Sequence, residues 1–206
     1  MKTHDWLKYL QTELRQHGKK LFTVTELANA AGVPPHTVNV ELNRLVKKNA
    51  ISRYAHGKYG LPDAAGPEDL LLFLDSGAYI TGFYALYRHN LATQVPTVIT
   101  CFTNRRHDRS RIRKTPLGTF IFSCIGKKTY HFPEDGLIAS PEQAFFDWIF
   151  ISLHHGLRPE TQVTLRNLNT LRPEIMTGLR PRYPKSVIGK AKQILSCTHD
   201  KREMHI

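Results

Sequence analysis

Between Gly32 and Asn49 the chain reads GVPPHTVNVELNRLVKKN, and no other stretch limits the fold as tightly. Gly32 supplies a turn that tolerates positive φ. A helix then starts at Pro34 or Pro35, because proline fits a first turn where no amide donor is needed. Val38, Leu42, Leu45 and Val46 recur at helical spacing and form one apolar stripe. The opposite side carries His36, Asn39, Asn43, Arg44 and Lys47. Surface helices ordinarily favour glutamate and lysine there, and asparagine is a mediocre helix former. Two asparagines, a histidine and an arginine on one exposed face point to contact with a partner, nucleic acid before protein, with a solvated polar face as the alternative.

The neighbours of this helix set its context. Upstream, Trp6, Leu7, Tyr9, Leu10 and Leu14 fall on a helical period over Lys2 to Gln16, and His17-Gly18 stops it. Thr25 is expected to cap a short helix, Glu26 to Ala31. Downstream, Ile51 to Tyr54 reads as a strand, His56-Gly57 as a turn and Lys58 to Leu61 as a return strand. Helix, helix, turn, helix, hairpin is the order of a winged helix-turn-helix. In that motif the third helix enters the major groove and presents three or four side chains to base edges. Asparagine pairs with adenine and arginine with guanine. Asn39, Asn43 and Arg44 are therefore the candidates for base reading, with His36 and Thr37 at the helix start. Lys47, Lys48, Arg53 and Lys58 are candidates for phosphate, and His56 sits at the hairpin tip.

Composition agrees with a polyanionic partner. The net charge of the 206 residues is +12 and the pI is about 9.8, which favours nucleic acid or, less often, an anionic membrane surface. No apolar run is long enough to cross a bilayer. Asp5, Lys8 and Glu13 interrupt any signal-peptide pattern, so a cytoplasmic protein with no membrane contact is expected. Cys101, Cys124 and Cys197 are odd in number and form no CxxC pair, which fits reduced thiols rather than a disulfide framework or zinc site. No cofactor and no metal are expected.

Pro62 to Asp69, PDAAGPED, has the composition of a linker. The expected division is 1–62 for the DNA-binding domain and 70–206 for a mixed α/β domain, an α+β protein overall. The second domain reads as a helix around Ala78 to His89, strands VPTVITCF (Val95 to Phe102), GTFIFSCI (Gly118 to Ile125) and Thr129 to Phe132, and a helix SPEQAFFDWIFISLHH. Ser140 caps that helix, Pro141 takes its first position and Gln143 completes a capping-box pattern. Two weaker helical stretches follow Gln162. Between the first two strands lies a basic loop, NRRHDRSRIRKTP, with Arg105, Arg106, Arg109, Arg111, Arg113 and Lys114 against only Asp108. Such density points either to contact with nucleic acid or a partner, or to a solvated connection. No aromatic interleaves the arginines, so base stacking is not signalled there.

GAYITGFYALYRHNL, VPTVITCFTNRR, GTFIFSCI and LIASPEQAFFDWIFI occur in that order after the N-terminal motif. Together they resemble the AbiEi-type antitoxins of bacterial abortive-infection toxin–antitoxin systems, over about residues 1 to 155. Family members often carry a longer C-terminal helical region. The resemblance implies a winged helix that binds inverted repeats at its own promoter and represses the operon. It also implies a C-terminal domain that counters a nucleotidyltransferase-like toxin, in a type IV scheme that needs no stable toxin complex.

Two other classes make different demands on the sequence. A nuclease needs acids clustered at strand ends with a lysine, and VPTVITCF and GTFIFSCI carry no acid. Glu142 falls in a first helical turn, where its charge suits the dipole, and Asp147 stands beside Phe145, Phe146 and Trp148 at the edge of a core face. His154 and His155 are adjacent and make a poor metal pair. No GxxxxGK[ST] or GxSxG element exists. No catalytic residue is assigned, and an enzyme is not expected. A ligand-sensing repressor would need a pocket in the second domain.

Overall fold

A computed structural model describes residues 3–107, 111–161 and 163–203, with side chains up to Ser196 in the last helix. The chain is α+β and divides into two compact units, 1–74 with 115–117, and 75–114 with 118–206.

In the first unit, helix α1 (Thr3–His17) ends at Gly18, whose φ of 63° only glycine adopts without cost. Strand β1 (Phe22–Thr23) leads into α2 (Val24–Ala31). The cap of α2 is Thr23, not Thr25. Its hydroxyl accepts from the Glu26 amide at 3.1 Å, and the Glu26 carboxylate accepts from the Thr23 amide at 2.7 Å. The box needs an acid three residues on, which Thr23 has and Thr25 lacks. Gly32 closes α2 in the left-handed region, and α3 (Pro35–Lys47) follows with Pro35 at its first position. Strands β2 (Ser52–Ala55) and β3 (Lys58–Gly60) form the hairpin, with a register shift between Arg53 and Ala55. The sheet order is β1-β3-β2, all antiparallel. Two-residue β1 is too short to show any period in the sequence.

The core joins Trp6 and Leu10 of α1, Leu27 of α2 and Val38, Leu42 and Leu45 of α3 with Phe22 and Tyr59 from the sheet. Fully burying one such side chain contributes about 1.5–3 kcal/mol, so the α3 stripe fixes which face of α3 is left outside. Gly60 cannot be replaced, because a Cβ there would overlap the Lys20 carbonyl oxygen.

The expected linker is partly helix. Helix α4 (Pro67–Leu74) starts inside it and falls in the first unit, so the division comes after Leu74 rather than at 62–70. Proline at the first position followed by Glu68 and Asp69 is a helix start, and that signal outweighs the linker-like composition. Asp69 accepts from Lys20 Nζ at 2.9 Å, and Lys58 Nζ lies 4.0 Å from the centre of the Phe73 ring.

The second unit is built on a four-stranded sheet of order β4-β5-β7-β6. Its strands are β4 (Ala78–Thr81), β5 (Val98–Thr103), β6 (Ile112–Thr115) and β7 (Gly118–Cys124). Strands β4 and β5 are antiparallel, β5 and β7 parallel. The expected helix from Ala78 is therefore half strand, and α5 covers only Gly82–Arg88. All four residues of β4 are buried, so the strand shows no alternation and its apolar run merges with that of α5. The expected basic loop ends as strand β6. Thr129 to Phe132 is not a strand; the extra rung comes from Ile138, bridged to Ile80.

Helix α6 (Pro141–His154) runs against this sheet, and α7 (Pro173–Leu179) and α8 (Lys185–Glu203) complete the unit. Ser140 Oγ accepts from the Gln143 amide at 3.2 Å, but the Gln143 side chain donates to the His131 carbonyl at 2.6 Å instead of closing a capping box. Glu142 is buried and accepts from the Arg172 amide at 2.9 Å, so it holds the start of α7.

Asp147 is wholly enclosed rather than at a core edge. Its carboxyl accepts from Thr81 Oγ1 and Tyr183 Oη at 2.7 Å each and from Tyr79 Oη at 3.2 Å. Burial pushes its pKa up from 3.8 to about 7, against the pull of the three hydroxyls. A folded pKa above the unfolded one means that the native state holds the proton longer. Asp147 thus costs stability progressively as pH rises from about 4 to about 7. Asp147→Asn, neutral at every pH, should gain melting temperature relative to the parent between pH 5 and pH 8, as thermal unfolding across that range will show. A second prediction concerns the unit boundary: a 1–74 fragment should melt cooperatively and at higher temperature than one ending at Asp63, which lacks Asp69 and Phe73.

Candidate nucleic-acid interface

The buried stripe of α3 decides what its other face offers. At about 100° per residue, His36, Val40, Asn43 and Lys47 lie in one row opposite Val38, Leu42 and Leu45. All four are exposed. Asn39 borders the row on one side, Thr37 and Arg44 on the other, and all three are exposed too. Lys48 caps the helix and is also exposed. The structure therefore brings together on one helix all seven residues assigned there from sequence.

Val40 was missed. It is 53% exposed in the middle of the row, where an apolar side chain has no stabilising role. Branched methyl groups in a polar row suit contact with a thymine methyl. The signal was present in the sequence, since Val40 stands out of register with the apolar stripe.

Arg44 is paired. Its Nη1 donates to Glu41 Oε1 at 2.8 Å, with the arginine side chain 66% exposed. A pair this open is worth at most about 1 kcal/mol, so the guanidinium can exchange partners at little cost. At the hairpin, Arg53 Nη2 lies 3.0 Å from His56 Nδ1, which sets both side chains at the tip next to Gly57. Lys58 behaves differently. Its ammonium rests on the Phe73 ring, so the helix after the hairpin competes for the charge.

The basic stretch belongs to the second unit. Arg105, Arg106, Arg111, Arg113 and Lys114 are exposed, and Arg109 lies outside the described residues. Asp75 anchors the start of the stretch. Its carboxylate accepts from Thr103 Oγ1 at 2.6 Å, His107 Nε2 at 2.9 Å and the Gly77 amide at 2.9 Å. Burial raises its pKa, but these donors outweigh burial and hold it below the usual carboxylate value. Residues 1–74 carry ten lysines and arginines against seven acids, and residues 75–206 nineteen against ten. Most of the positive excess therefore sits outside the unit that contains α3. Among the described residues, no three His, Cys, Asp or Glu side chains group as metal ligands would. No described helix is long and apolar enough to cross a membrane.

Residues 8–62, nearly all of this α1-to-β3 segment, match the model of a class of transcriptional regulators. The family is described as "Transcriptional regulator, AbiEi antitoxin", and the N-terminal part of the chain is similar to it over those residues. No curated protein matches the chain.

The contrast between Arg53 and Lys58 is testable by titrating DNA affinity against salt. Arg53→Ala should flatten the slope of log affinity on log salt by roughly one unit. Lys58→Ala should change that slope less and lower the melting temperature instead, through loss of the Phe73 contact.

Proposed function

We propose that the first unit is a winged helix-turn-helix and that α3 reads operator DNA in the major groove. On this reading the protein is a transcriptional repressor. It serves as the antitoxin of a bacterial type IV toxin–antitoxin system and represses its own operon at an inverted repeat. The toxin would be nucleotidyltransferase-like and neutralised without a stable complex.

One observation carries the reading: the exposed face of α3 holds Asn39, Asn43 and Arg44, side chains of types that can pair with base edges, while its buried stripe locks the helix in place. Asn43, at the centre of the row, would pair with adenine, with Asn39 and Arg44 beside it and His36, Thr37 and Val40 along the groove. Lys47, Lys48, Arg53 and His56 would meet phosphate. The family match over residues 8–62 supports regulation and an antitoxin context. A regulator needs no catalytic group, and a non-enzymatic role is part of the proposal. A nuclease gains no support from the geometry. Of the two enclosed acids of α6, Asp147 is bonded to three hydroxyls, and Glu142 holds the Arg172 amide through one of its oxygens.

The test is binding to the DNA upstream of the protein's own gene, compared with random DNA at one salt concentration. Specific binding should be tighter. Asn43→Ala should weaken it by about 1–3 kcal/mol while leaving random-sequence affinity nearly unchanged. Equal losses on both DNAs would show that α3 touches only the backbone.

A further inference from the structure

The second unit holds a cavity of about 670 Å³, within the range of small-molecule sites. Its walls come from three places: the segment after β5, the end of β7 and the last turn of α6. Arg106 and Arg111 bring two permanent charges to it, and no described carboxylate lines it or pairs with either arginine. His154 and His155 face it from α6. The floor is apolar, formed by Phe102, Phe122, Ile125 and Ile151.

Two features show that the arrangement is held. His107 is fixed by its bond to buried Asp75, and its ring lies against Phe122 with centroids 4.8 Å apart. That contact ties the residue next to Arg106 to β7. The exposed His154 ring lies parallel to Phe150 at an interplanar angle of 9°, with the His155 ring set against it at a steep angle, centroids 5.6 Å apart. Aromatics absent from the basic stretch in sequence are thus supplied to it by β5, β7 and α6.

We propose that this cavity binds a nucleoside phosphate. Guanidinium groups with no carboxylate partner among the described residues match a phosphate, to which each can donate twice. Exposed imidazole rings beside an apolar floor match a heterocyclic base. The phosphate and the base would come either from a free nucleotide or from the 5′ end of a strand. The site uses the second unit alone and does not depend on how α3 is used.

The experiment titrates the full-length protein with a fluorescent ATP analogue and displaces it with unlabelled competitors. ATP and AMP should compete, with adenosine and inorganic phosphate each weaker by about tenfold or more. The double variant Arg106→Ala/Arg111→Ala should lose about tenfold in affinity. Arg113→Ala, an exposed arginine that does not line the cavity, should stay within about twofold. Alkylation of Cys124, an exposed thiol on the cavity wall, should slow when ATP is bound. A 5′-phosphorylated oligonucleotide that competes better than AMP would assign the nucleotide to a strand end; the reverse would assign it to a free nucleotide. The proposal is overturned by lack of saturable binding up to roughly 1 mM. It is also overturned if phosphate alone competes as well as ATP, or if Arg113→Ala loses as much as the double variant.

Discussion

A carboxyl group with no cation beside it organises the second unit. Asp147 sits in the middle of α6 and is bonded only by hydroxyls, from Tyr79 and Thr81 on β4 and from Tyr183 after α7. Each of these groups would be costly to bury alone, and together they satisfy one another. Because the donors come from the sheet and from the C-terminal segment, one side chain fixes the seat of α6 against both. The last turn of α6 then carries Phe150, His154 and His155 to one wall of the cavity.

The elements that were legible in the sequence are those held by local chemistry. The breaks at Gly18 and Gly32, the prolines opening α3 and α6, the Ser140 cap and the His56-Gly57 turn are each decided within a few residues, and each appears where it was expected. The elements that were misread depend on distant partners. Strand β4 reads as helix until β5 is placed beside it, and α4 reads as linker until Lys20 and Lys58 are seen to hold it. Asp147 shows the same limit, since nothing near it in sequence names the three hydroxyls that enclose it.

For the candidate interface the division is similar. The outward row of α3 follows from period alone, which is why its residues were readable. The pairing of Arg44 with Glu41 and of Arg53 with His56 depends on rotamers. The position of Lys58 depends on a helix that sequence did not predict. The cavity was invisible for a stronger reason. Its residues come from segments up to about fifty positions apart, and only the parallel pairing of β5 with β7 brings the first two together.

The opening of α3 has a consequence for any approach to a polyanion. Most helices satisfy their first amides with an aspartate or a serine. Here Pro34 and Pro35 remove two amides altogether, the Pro34 carbonyl takes those of Thr37 and Val38, and no acid stands in the first turn. The helix therefore begins without a fixed negative charge at its positive pole. A carboxylate cap would stabilise the free protein but would repel a phosphate backbone in the docking proposed for this helix. Starting on two prolines gives a rigid entry whose electrostatic sign is left intact for the ligand.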